Sequence, residues 1–266
     1  MPEGNALHRS ARVLNRVLRG RSVTRFESVY PQLTRVDEDA QVRGRTVEEV
    51  SAAGKHLLMR FSGGLVLRSH QRMNGSWHLY RHAEPWRRGK VRARIILETA
   101  EYVVVGFDVP DATFHEERPV AQSPVGSLGP DLLSDSFDAA EAHRRLRALG
   151  PWAVGEALLD PRAMAGVGNV YKSEILFVGR VNPFARVAEL TEAQLAHLVA
   201  TARVLLAREA EDTRSERSTT RSADPRARLF VYRRGGRPCR RCGTAIAFRR
   251  QGVQARPTYF CPTCQR

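Results

Sequence analysis

The residues with the clearest chemical potential stand at the start of the chain, in the segment Met1-Pro2-Glu3-Gly4. We expect Met1 to be removed before the small second residue, which leaves Pro2 with a secondary amine at the N-terminus. Such an amine attacks an aldehyde-like carbon and gives a permanently cationic iminium, the electron sink of covalent amine catalysis. Glu3 stands beside it and can exchange a proton with a leaving or opening group. The alternative is that Pro2 and Glu3 only begin a helix, which both residue types favour.

The residues that follow predict an amphipathic helix directly behind this amine, with Gly20 as its stop. The amine would lie at the positive end of the helix dipole, which lowers its pKa and favours the neutral, nucleophilic form. An α-amino group titrates near ~8 without that effect, so we expect a neutral fraction at physiological pH. The apolar face of the helix consists of Leu7, Ala11, Leu14 and Leu18.

The four cysteines of the chain form two CxxC pairs near its end. Eighteen residues separate Cys239 and Cys242 from Cys261 and Cys264, a spacing typical of a four-thiolate zinc ribbon. A segment this short buries little apolar core, so we expect a metal to hold it together. One structural Zn²⁺ is predicted, because four sulfur ligands leave no open position for catalysis. Two disulfides are the alternative, which a cytosolic setting disfavours.

Charge is distributed unevenly along the 266 residues, whose net charge is +15. Residues 225–266 hold eleven arginines and no lysine or acidic residue, so the other 224 residues carry only +4. A basic segment on a nearly neutral body indicates a polyanionic partner, most simply nucleic acid. No apolar run approaches the ~20 residues that span a bilayer, and no signal-peptide core is present. We therefore expect a soluble, cytoplasmic protein without a membrane partner.

Two basic residues stand out by type and place. Lysine occurs only three times against forty arginines, and only lysine can lose its proton when it is buried. Lys55 is therefore a candidate for a chemical role. Arg256 lies in the predicted ribbon hairpin and can bind a phosphate through two hydrogen bonds; the alternative is an ordinary exposed arginine.

Strand-like segments fill much of the first 110 residues. A tight hairpin is predicted at Ser62-Gly63-Gly64, and the strand spacing indicates an antiparallel sandwich or barrel. A linker rich in proline, glycine and acidic residues is predicted from Asp108 to Asp138. The predicted strands are 23–30, 56–61, 65–70, 91–97 and 102–107.

Beyond residue 138 the apolar period becomes helical. Thr191 and Gln194 predict a capping box at the start of the longest helix, and the polar segment 208–228 predicts a mobile loop. The turn at residues 166–169 brings Asn169 and backbone N–H groups to a helix N-terminus, which favours anion binding; a plain helix connector is the alternative. The other predicted helices are 139–149, 151–159 with Pro151 in its first turn, and 170–178.

In this order, the motifs resemble the formamidopyrimidine-DNA glycosylase and endonuclease VIII (Fpg/Nei) family of base-excision repair enzymes. The Pro-Glu-Gly opening and the stretch Met73-Asn74-Gly75-Ser76-Trp77 are more similar to the endonuclease VIII branch, whose usual substrates are oxidised pyrimidines. The Arg-x-Phe wedge loop of the other branch is not recognisable; residues 111–114 correspond to it only vaguely. The resemblance covers essentially the whole chain and rests on residues 2–4, 54–57, 128–131, 165–171 and the CxxC pairs.

The resemblance implies an α+β multidomain fold. Residues 1–120 would form a catalytic antiparallel β-sandwich with an N-terminal helix, and residues 121–228 a helical helix–two-turn–helix (H2TH) domain that binds DNA. Residues 229–266 would form the zinc ribbon. The partner would be double-stranded DNA containing oxidised bases or abasic sites, bound by a monomer associated with the bacterial nucleoid.

The resemblance also implies roles for residues at matching positions. Pro2 would attack C1′ of the damaged nucleotide, and Glu3 would protonate the sugar ring oxygen and assist Schiff-base formation. Lys55, placed in a strand, would contact the phosphate beside the lesion and assist β-elimination. Arg256 would assist δ-elimination and bind the same region, and Asn169 would bind a phosphate.

A wedge must fill the gap that a flipped base leaves. His70, Arg72 and Met73 follow a strand at the position where the family carries such residues. Met73 is unbranched and apolar, which suits insertion between bases, while Arg72 would face the orphaned base. Ordinary core packing is the alternative for Met73.

The resulting expectation is a bifunctional DNA glycosylase and AP lyase that removes oxidised pyrimidines and nicks the strand by β,δ-elimination. Two alternatives remain open from the sequence. One is an enzyme specific for oxidised purines such as 8-oxoguanine and formamidopyrimidines, and the other is a non-catalytic zinc-ribbon protein that binds damaged DNA.

Overall fold

A computed structural model describes residues 3–117, 125–211, 219–220 and 228–266. The chain divides into two compact units, Met1–Gly126 and Ser127–Arg266. The first unit is built from two antiparallel sheets and two helices, and the second from helices and a C-terminal β-hairpin. No helix in the described ranges is long and apolar enough to cross a membrane.

The first helix, α1 (Gly4–Leu18), has the predicted amphipathic character. Leu7, Ala11, Leu14 and Leu18 are all buried on one face, and they pack into the core of the first unit. The chain leaves the helix through Gly20, whose φ of +80° favours glycine. The predicted helix, its buried face and its stop are confirmed.

Two four-stranded antiparallel sheets share that core. One has the strand order β1-β6-β7-β5 and the other the order β2-β3-β4-β8. The Trp77 indole N–H on β5 donates to the Ser69 hydroxyl on β4 at 3.0 Å, a buried hydrogen bond between the sheets. The predicted sandwich is therefore confirmed. The strands are β1 (Arg25–Ser28), β2 (Val47–Ala53), β3 (His56–Phe61), β4 (Leu65–His70), β5 (Ser76–Arg81), β6 (Ala93–Glu98), β7 (Tyr102–Phe107) and β8 (Asp111–Glu116).

Several strand predictions match these bounds. Residues 56–61, 65–70 and 102–107 are strands as predicted, and positive φ values at Gly63 and Gly64 form the predicted hairpin turn. Residues 91–92 belong instead to the 3₁₀ turn Lys90–Arg92 that precedes β6.

The predicted linker was wrong at its start, because Asp111–Glu116 is strand β8, paired along its length with β4. It is an edge strand with mostly half-buried side chains, so it lacks the apolar alternation that identifies strands from sequence. The edge strands β2 and β5 were missed for the same reason. The helix α2 (Pro31–Ala40) was missed because Leu33 is its only buried residue.

In the second unit, four helices surround a second apolar core. They are α3 (Ala139–Arg147), α4 (Val154–Ala157), α5 (Asn169–Val178) and α6 (Glu192–Glu211).

The predicted capping box at the start of α6 is confirmed. The Gln194 backbone N–H donates to Thr191 Oγ1 at 3.2 Å, and the Thr191 N–H donates to Gln194 Oε1 at 2.9 Å. Pro151 precedes α4 and lies outside it. The predicted loop at 208–228 was wrong for residues 208–211, which continue α6; residues 212–218 and 221–227 lie outside the described ranges.

The C-terminal segment forms a hairpin of β9 (Ala247–Gln251) and β10 (Arg256–Phe260). Its small core consists of Val231, Cys239, Ile246 and Cys261 and includes Phe177 from α5. The buried Glu174 carboxylate of α5 accepts the backbone N–H groups of residues 230, 231 and 232 at 2.8–2.9 Å and the Thr219 hydroxyl. Helix α5 thereby fixes the entry to the hairpin.

Glu174→Ala should destabilise this junction, because three backbone N–H groups lose a charged acceptor in a buried position. We expect the second unit to lose about 3–5 kcal/mol of its free energy of unfolding, measured by urea denaturation. Asp135→Ala, which removes an exposed carboxylate from the same unit, should change it by less than about 0.5 kcal/mol. Equal stability of the two variants would contradict the anchoring role of Glu174.

Candidate functional site

The N-terminal end of α1 brings Glu3 into the interior of the first unit. Glu3 is 1% exposed; its backbone carbonyl accepts the N–H groups of Ala6 and Leu7, and its carboxylate does not cap the helix. Asn5 is also fully buried, and neither atom of its amide has a hydrogen-bond partner among the described residues. Pro2, the predicted nucleophile, lies outside the described residues. The carboxylate next to it in sequence is thus buried and not used for helix capping.

Lys55 lies in the two-residue turn that joins β2 to β3. The prediction of a strand position was wrong by one residue, because Ala53 and His56 form the last cross-strand pair. Gly54 has a φ of +57°, which is the left-handed conformation that this tight turn requires. Lys55 is half-buried, and it lies close enough to His56 and His70 for its charge to lower the pKa of both.

A polar cluster occupies that end of the sheet, where His56, His70 and Asp111 stand side by side on β3, β4 and β8. The two imidazole rings lie 4.8 Å apart. Arg68 connects the cluster: its Nη1 lies 3.2 Å from His56 Nδ1, and its Nη2 donates to Asp111 Oδ1 at 3.0 Å. Burial, then the adjacent His70 and Arg68, lower the pKa of His56 to about 4. Burial also lowers the pKa of His70, against the opposing effect of Asp111.

The loop after β4 carries the predicted wedge residues. Arg72 has a φ of +46° and its backbone N–H donates to His70 Nδ1 at 3.1 Å. Met73 is 63% exposed, so the alternative of core packing does not hold for it. The loop closes where the Gly75 N–H donates to the Gln71 carbonyl at 2.9 Å, and a Cβ on Gly75 would lie 2.6 Å from that oxygen. The fold therefore presents an exposed methionine on a tightly closed turn.

Gln71 and His56 were not predicted as site residues. Gln71 is 4% exposed, and its Nε2 has no hydrogen-bond partner among the described residues. A buried amide without a partner is unusual and marks a possible ligand contact. The sequence offered one signal for each of them: Gln71 lies between His70 and Arg72, and His56 follows Lys55 directly.

In the second unit, Asn169 begins α5 after a turn in which Gly166 has a φ of +112°. Its side chain is 5% exposed; Nδ2 donates to the Pro257 carbonyl at 2.7 Å, while Oδ1 has no partner in the described part of the chain. One amide hydrogen is committed to β10. The amide keeps a second N–H that is not needed for that bond.

Lys172, one turn further along α5, is fully buried against the same strand. Its Nζ donates to Thr258 Oγ1 at 2.7 Å and to the Pro257 carbonyl at 3.4 Å. The Thr258 hydroxyl donates onward to Gln251 on β9. The rarity of lysine in the sequence made Lys55 a candidate, and the same signal could have identified Lys172. Helix α5 therefore holds the hairpin next to Arg256.

Arg256 is the first residue of β10 and is half-buried. Its Nε and Nη2 both donate to Gln254 Oε1, at 2.9 and 2.6 Å. Because a neutral amide holds it, the guanidinium charge is not neutralised by that contact. Pro257 follows directly, so the residue that Asn169 and Lys172 hold is the immediate neighbour of Arg256.

The four cysteines come together as predicted. Their Sγ atoms all lie within 4.8 Å of one another, and pairs of them are 4.0 Å and 3.4 Å apart. A tetrahedron with Zn–S bonds of about 2.3 Å has edges of about 3.8 Å, so the cluster fits a metal ion of this size. Cys239 and Cys261 are buried in the small core of the ribbon, which suits a structural ion.

Two family models match the chain. Residues 1–119 match the formamidopyrimidine-DNA glycosylase N-terminal domain, and residues 128–221 match the formamidopyrimidine-DNA glycosylase H2TH domain. Together they cover most of its length.

Relatives align along the whole chain. The probable endonuclease 8 2 of Streptomyces coelicolor is 44% identical over 100% of this chain and 94% of its own. The DNA-(apurinic or apyrimidinic site) lyase Nei2 of Mycolicibacterium smegmatis is 37% identical over 100% and 99%. Among solved structures, Lactococcus lactis formamidopyrimidine-DNA glycosylase bound to DNA with an AP site gives a TM-score of 0.82 at 23% identity, covering 100% of both chains; that likeness is one of fold.

The histidine cluster predicts a specific acid sensitivity. The pKa of His56 lies near 4 in the folded chain against an ordinary value of 6.5, so the unfolded state takes up the proton first. The stability that neutral His56 contributes is complete above pH 6.5 and is lost as the pH falls toward 4, by about 2–3 kcal/mol at most. The difference in unfolding free energy between the wild type and His56→Phe should therefore change across this range, measured by denaturation at several pH values. A difference that is constant with pH would contradict the assignment.

Proposed function

The chain belongs to the formamidopyrimidine-DNA glycosylase and endonuclease VIII (Fpg/Nei) family and is a DNA glycosylase and AP lyase of base-excision repair; we propose that it removes oxidised pyrimidines through a Schiff base on Pro2. The observation that carries this proposal is the alignment with endonuclease 8 proteins over the entire chain. The buried Glu3 and the half-buried Lys55 support a catalytic centre in the first unit.

The first chemical steps belong to Pro2 and Glu3. After removal of Met1, the Pro2 nitrogen attacks C1′ of the damaged nucleotide and the base leaves. Glu3 protonates the sugar ring oxygen, which opens the ring and allows the iminium to form. Glu3 is buried, which keeps its side chain in a fixed place next to the amine in sequence.

The iminium then makes the strand break possible. It draws electrons from C1′ and acidifies the proton on C2′, so the 3′ phosphate can leave by β-elimination. Lys55, at the tip of the β2–β3 turn, contacts the phosphate beside the lesion and stabilises the departing charge. Arg256 assists the second, δ-elimination; its guanidinium keeps its positive charge beside Gln254.

DNA binding uses the loop after β4 and the second unit. Met73 fills the gap left by the flipped base, Arg72 faces the orphaned base, and His70 binds the backbone. Asn169 binds a phosphate through its second amide hydrogen, with the N-terminus of α5 adding favourable electrostatics. The partner is double-stranded DNA containing oxidised bases or abasic sites, and the protein acts as a monomer.

We assign a catalytic sandwich domain to residues 1–120, an H2TH domain to residues 121–228 and a zinc ribbon to residues 229–266. One Zn²⁺ would be held by Cys239, Cys242, Cys261 and Cys264. The ion would fix the hairpin that carries Arg256, because this segment has only a small apolar core of its own.

Borohydride trapping on DNA with an abasic site tests the catalytic amine. The wild-type protein, shown by intact mass to lack Met1, should form a covalent adduct. Pro2→Gly should lower the trapping rate by about 100-fold, a loss of ~2.7 kcal/mol of transition-state stabilisation. Lys90→Ala, which removes an exposed lysine outside the proposed site, should trap like the wild type. Absence of any adduct from a preparation that cleaves abasic-site DNA would rule out catalysis through the Pro2 amine.

Lesion preference is tested by single-turnover cleavage of matched duplexes. Duplexes with thymine glycol or dihydrouracil should be cleaved at least about tenfold faster than one with 8-oxoguanine, a difference of ~1.4 kcal/mol. Faster cleavage of 8-oxoguanine would instead assign the protein to oxidised purines, without affecting the role of Pro2.

A further inference from the structure

We propose that His56 is a positioning residue: it packs against His70 and holds that imidazole neutral with its proton on Nε2, ready to donate to a DNA backbone phosphate. The last part rests on the DNA-binding role proposed for His70. The same contact would fix the loop that carries Met73, because His70 also accepts a hydrogen bond from that loop.

The orientation of His56 follows from its partner. Arg68 Nη1 lies 3.2 Å from His56 Nδ1, and an arginine can only donate. Nδ1 of His56 therefore carries no proton, and the neutral ring carries it on Nε2. Arg68 is itself held by Asp111 at 3.0 Å and by the Thr113 hydroxyl at 3.3 Å. Two neighbouring strands thus lock the His56 ring in place.

The position of the proton on His70 follows from the same argument, with a different hydrogen-bond donor. The backbone N–H of Arg72 donates to its Nδ1 at 3.1 Å, so the proton of the neutral ring must again lie on Nε2. His70 Nε2 makes no hydrogen bond within the described part of the chain. One side of this ring therefore fixes the backbone of the wedge loop, and the other side offers a donor.

His56 and His70 are directly paired across β3 and β4, with ring centroids 4.8 Å apart and planes inclined by 59°. The ring of His56 excludes water from one side of His70. Burial of this kind lowers the pKa of His70, because an imidazolium loses more hydration than a neutral ring.

The charged groups around His70 act in opposite directions. Asp111 favours the protonated ring, whereas Lys55, Arg72 and Arg68 oppose it, so burial is the main cause of the lowered pKa of His70. Protonation of Nδ1 would also abolish the hydrogen bond from the Arg72 N–H, since a protonated nitrogen cannot accept. A neutral His70 therefore agrees with the conformation of the loop and with the burial of the ring.

Nuclear magnetic resonance of the full-length chain labelled with ¹⁵N-histidine tests the proposal without DNA. Two-bond ¹H–¹⁵N spectra should show His56 and His70 as neutral rings protonated on Nε2 at pH 7, with His70 titrating at a lower pH than an ordinary histidine. A His70 ring protonated on Nδ1, or charged at pH 7, would overturn the proposal.

Substitutions separate positioning from a general effect on the fold. In His56→Ala, His70 should titrate at a higher pH, and the Arg72 amide should lose hydrogen-exchange protection as the pH falls from 8 to 6. His56→Phe keeps a ring against His70 and should restore both properties, which also provides a folded variant if His56→Ala is unstable. His115→Ala, further along β8, should behave like the wild type. Unchanged titration of His70 in His56→Ala, or no rescue by His56→Phe, would refute the role of His56.

Cleavage of abasic-site DNA gives the functional readout. His56→Ala should raise KM about tenfold at pH 6, comparable to the loss of one hydrogen bond, while kcat changes less than twofold and His56→Phe stays near the wild type. An unchanged KM, with the spectra as expected, would refute the link to DNA. Inactivity of the wild type itself would refute the proposed function and leave the spectroscopic result standing.

Discussion

The buried polar residues of α5 impose the constraint on which the second unit depends. Asn169, Lys172 and Glu174 are each at most 5% exposed, and polar groups in such positions must find partners or cost stability. Lys172 and Glu174 find them in the C-terminal segment, at Thr258 and at the backbone of residues 230–232, and Asn169 adds the Pro257 carbonyl. Helix α5 begins at the proposed phosphate-binding turn and also supports the basic hairpin, so the two proposed DNA-binding elements are held by the same helix.

The first unit uses a related arrangement at one end of the sheet formed by β2, β3, β4 and β8. His56 begins β3, His70 ends β4 and Asp111 begins β8, and Arg68 connects His56 and Asp111 by hydrogen bonds whose direction is fixed. The adjacent loop takes its conformation from His70, while Lys55 lies on the turn next to it. The strand ends therefore position the groups proposed to contact a phosphate. The exposed Met73 is held on a closed turn. Preorganisation of this kind lowers the entropic cost of binding.

Local signals in the sequence were sufficient for part of this structure. The CxxC spacing, the glycine pair at 63–64, the apolar face of α1 and the Thr191 capping box each depend on residues close in sequence, and all were predicted. Strand β8 was missed because its half-buried edge residues show no apolar alternation. Its pairing with β4 depends on residues that are distant in the sequence. Gln71 was missed for a similar reason, because its burial is visible only in the fold. Lys172 did carry one sequence signal, the rarity of lysine, but its burial too is visible only in the fold. The roles of Pro2, Glu3, Lys55, Asn169 and Arg256 came from the family resemblance and remain predictions.

Identification of the atom that bonds to DNA tests the central claim most directly. The wild-type protein would be reduced with borohydride on a duplex containing an abasic site, digested with protease and nuclease, and the sugar remnant located by tandem mass spectrometry. We predict that the remnant lies on the α-nitrogen of Pro2, in a peptide without Met1. A remnant on the side chain of Lys55, or an active preparation in which Met1 is retained, would contradict the claim.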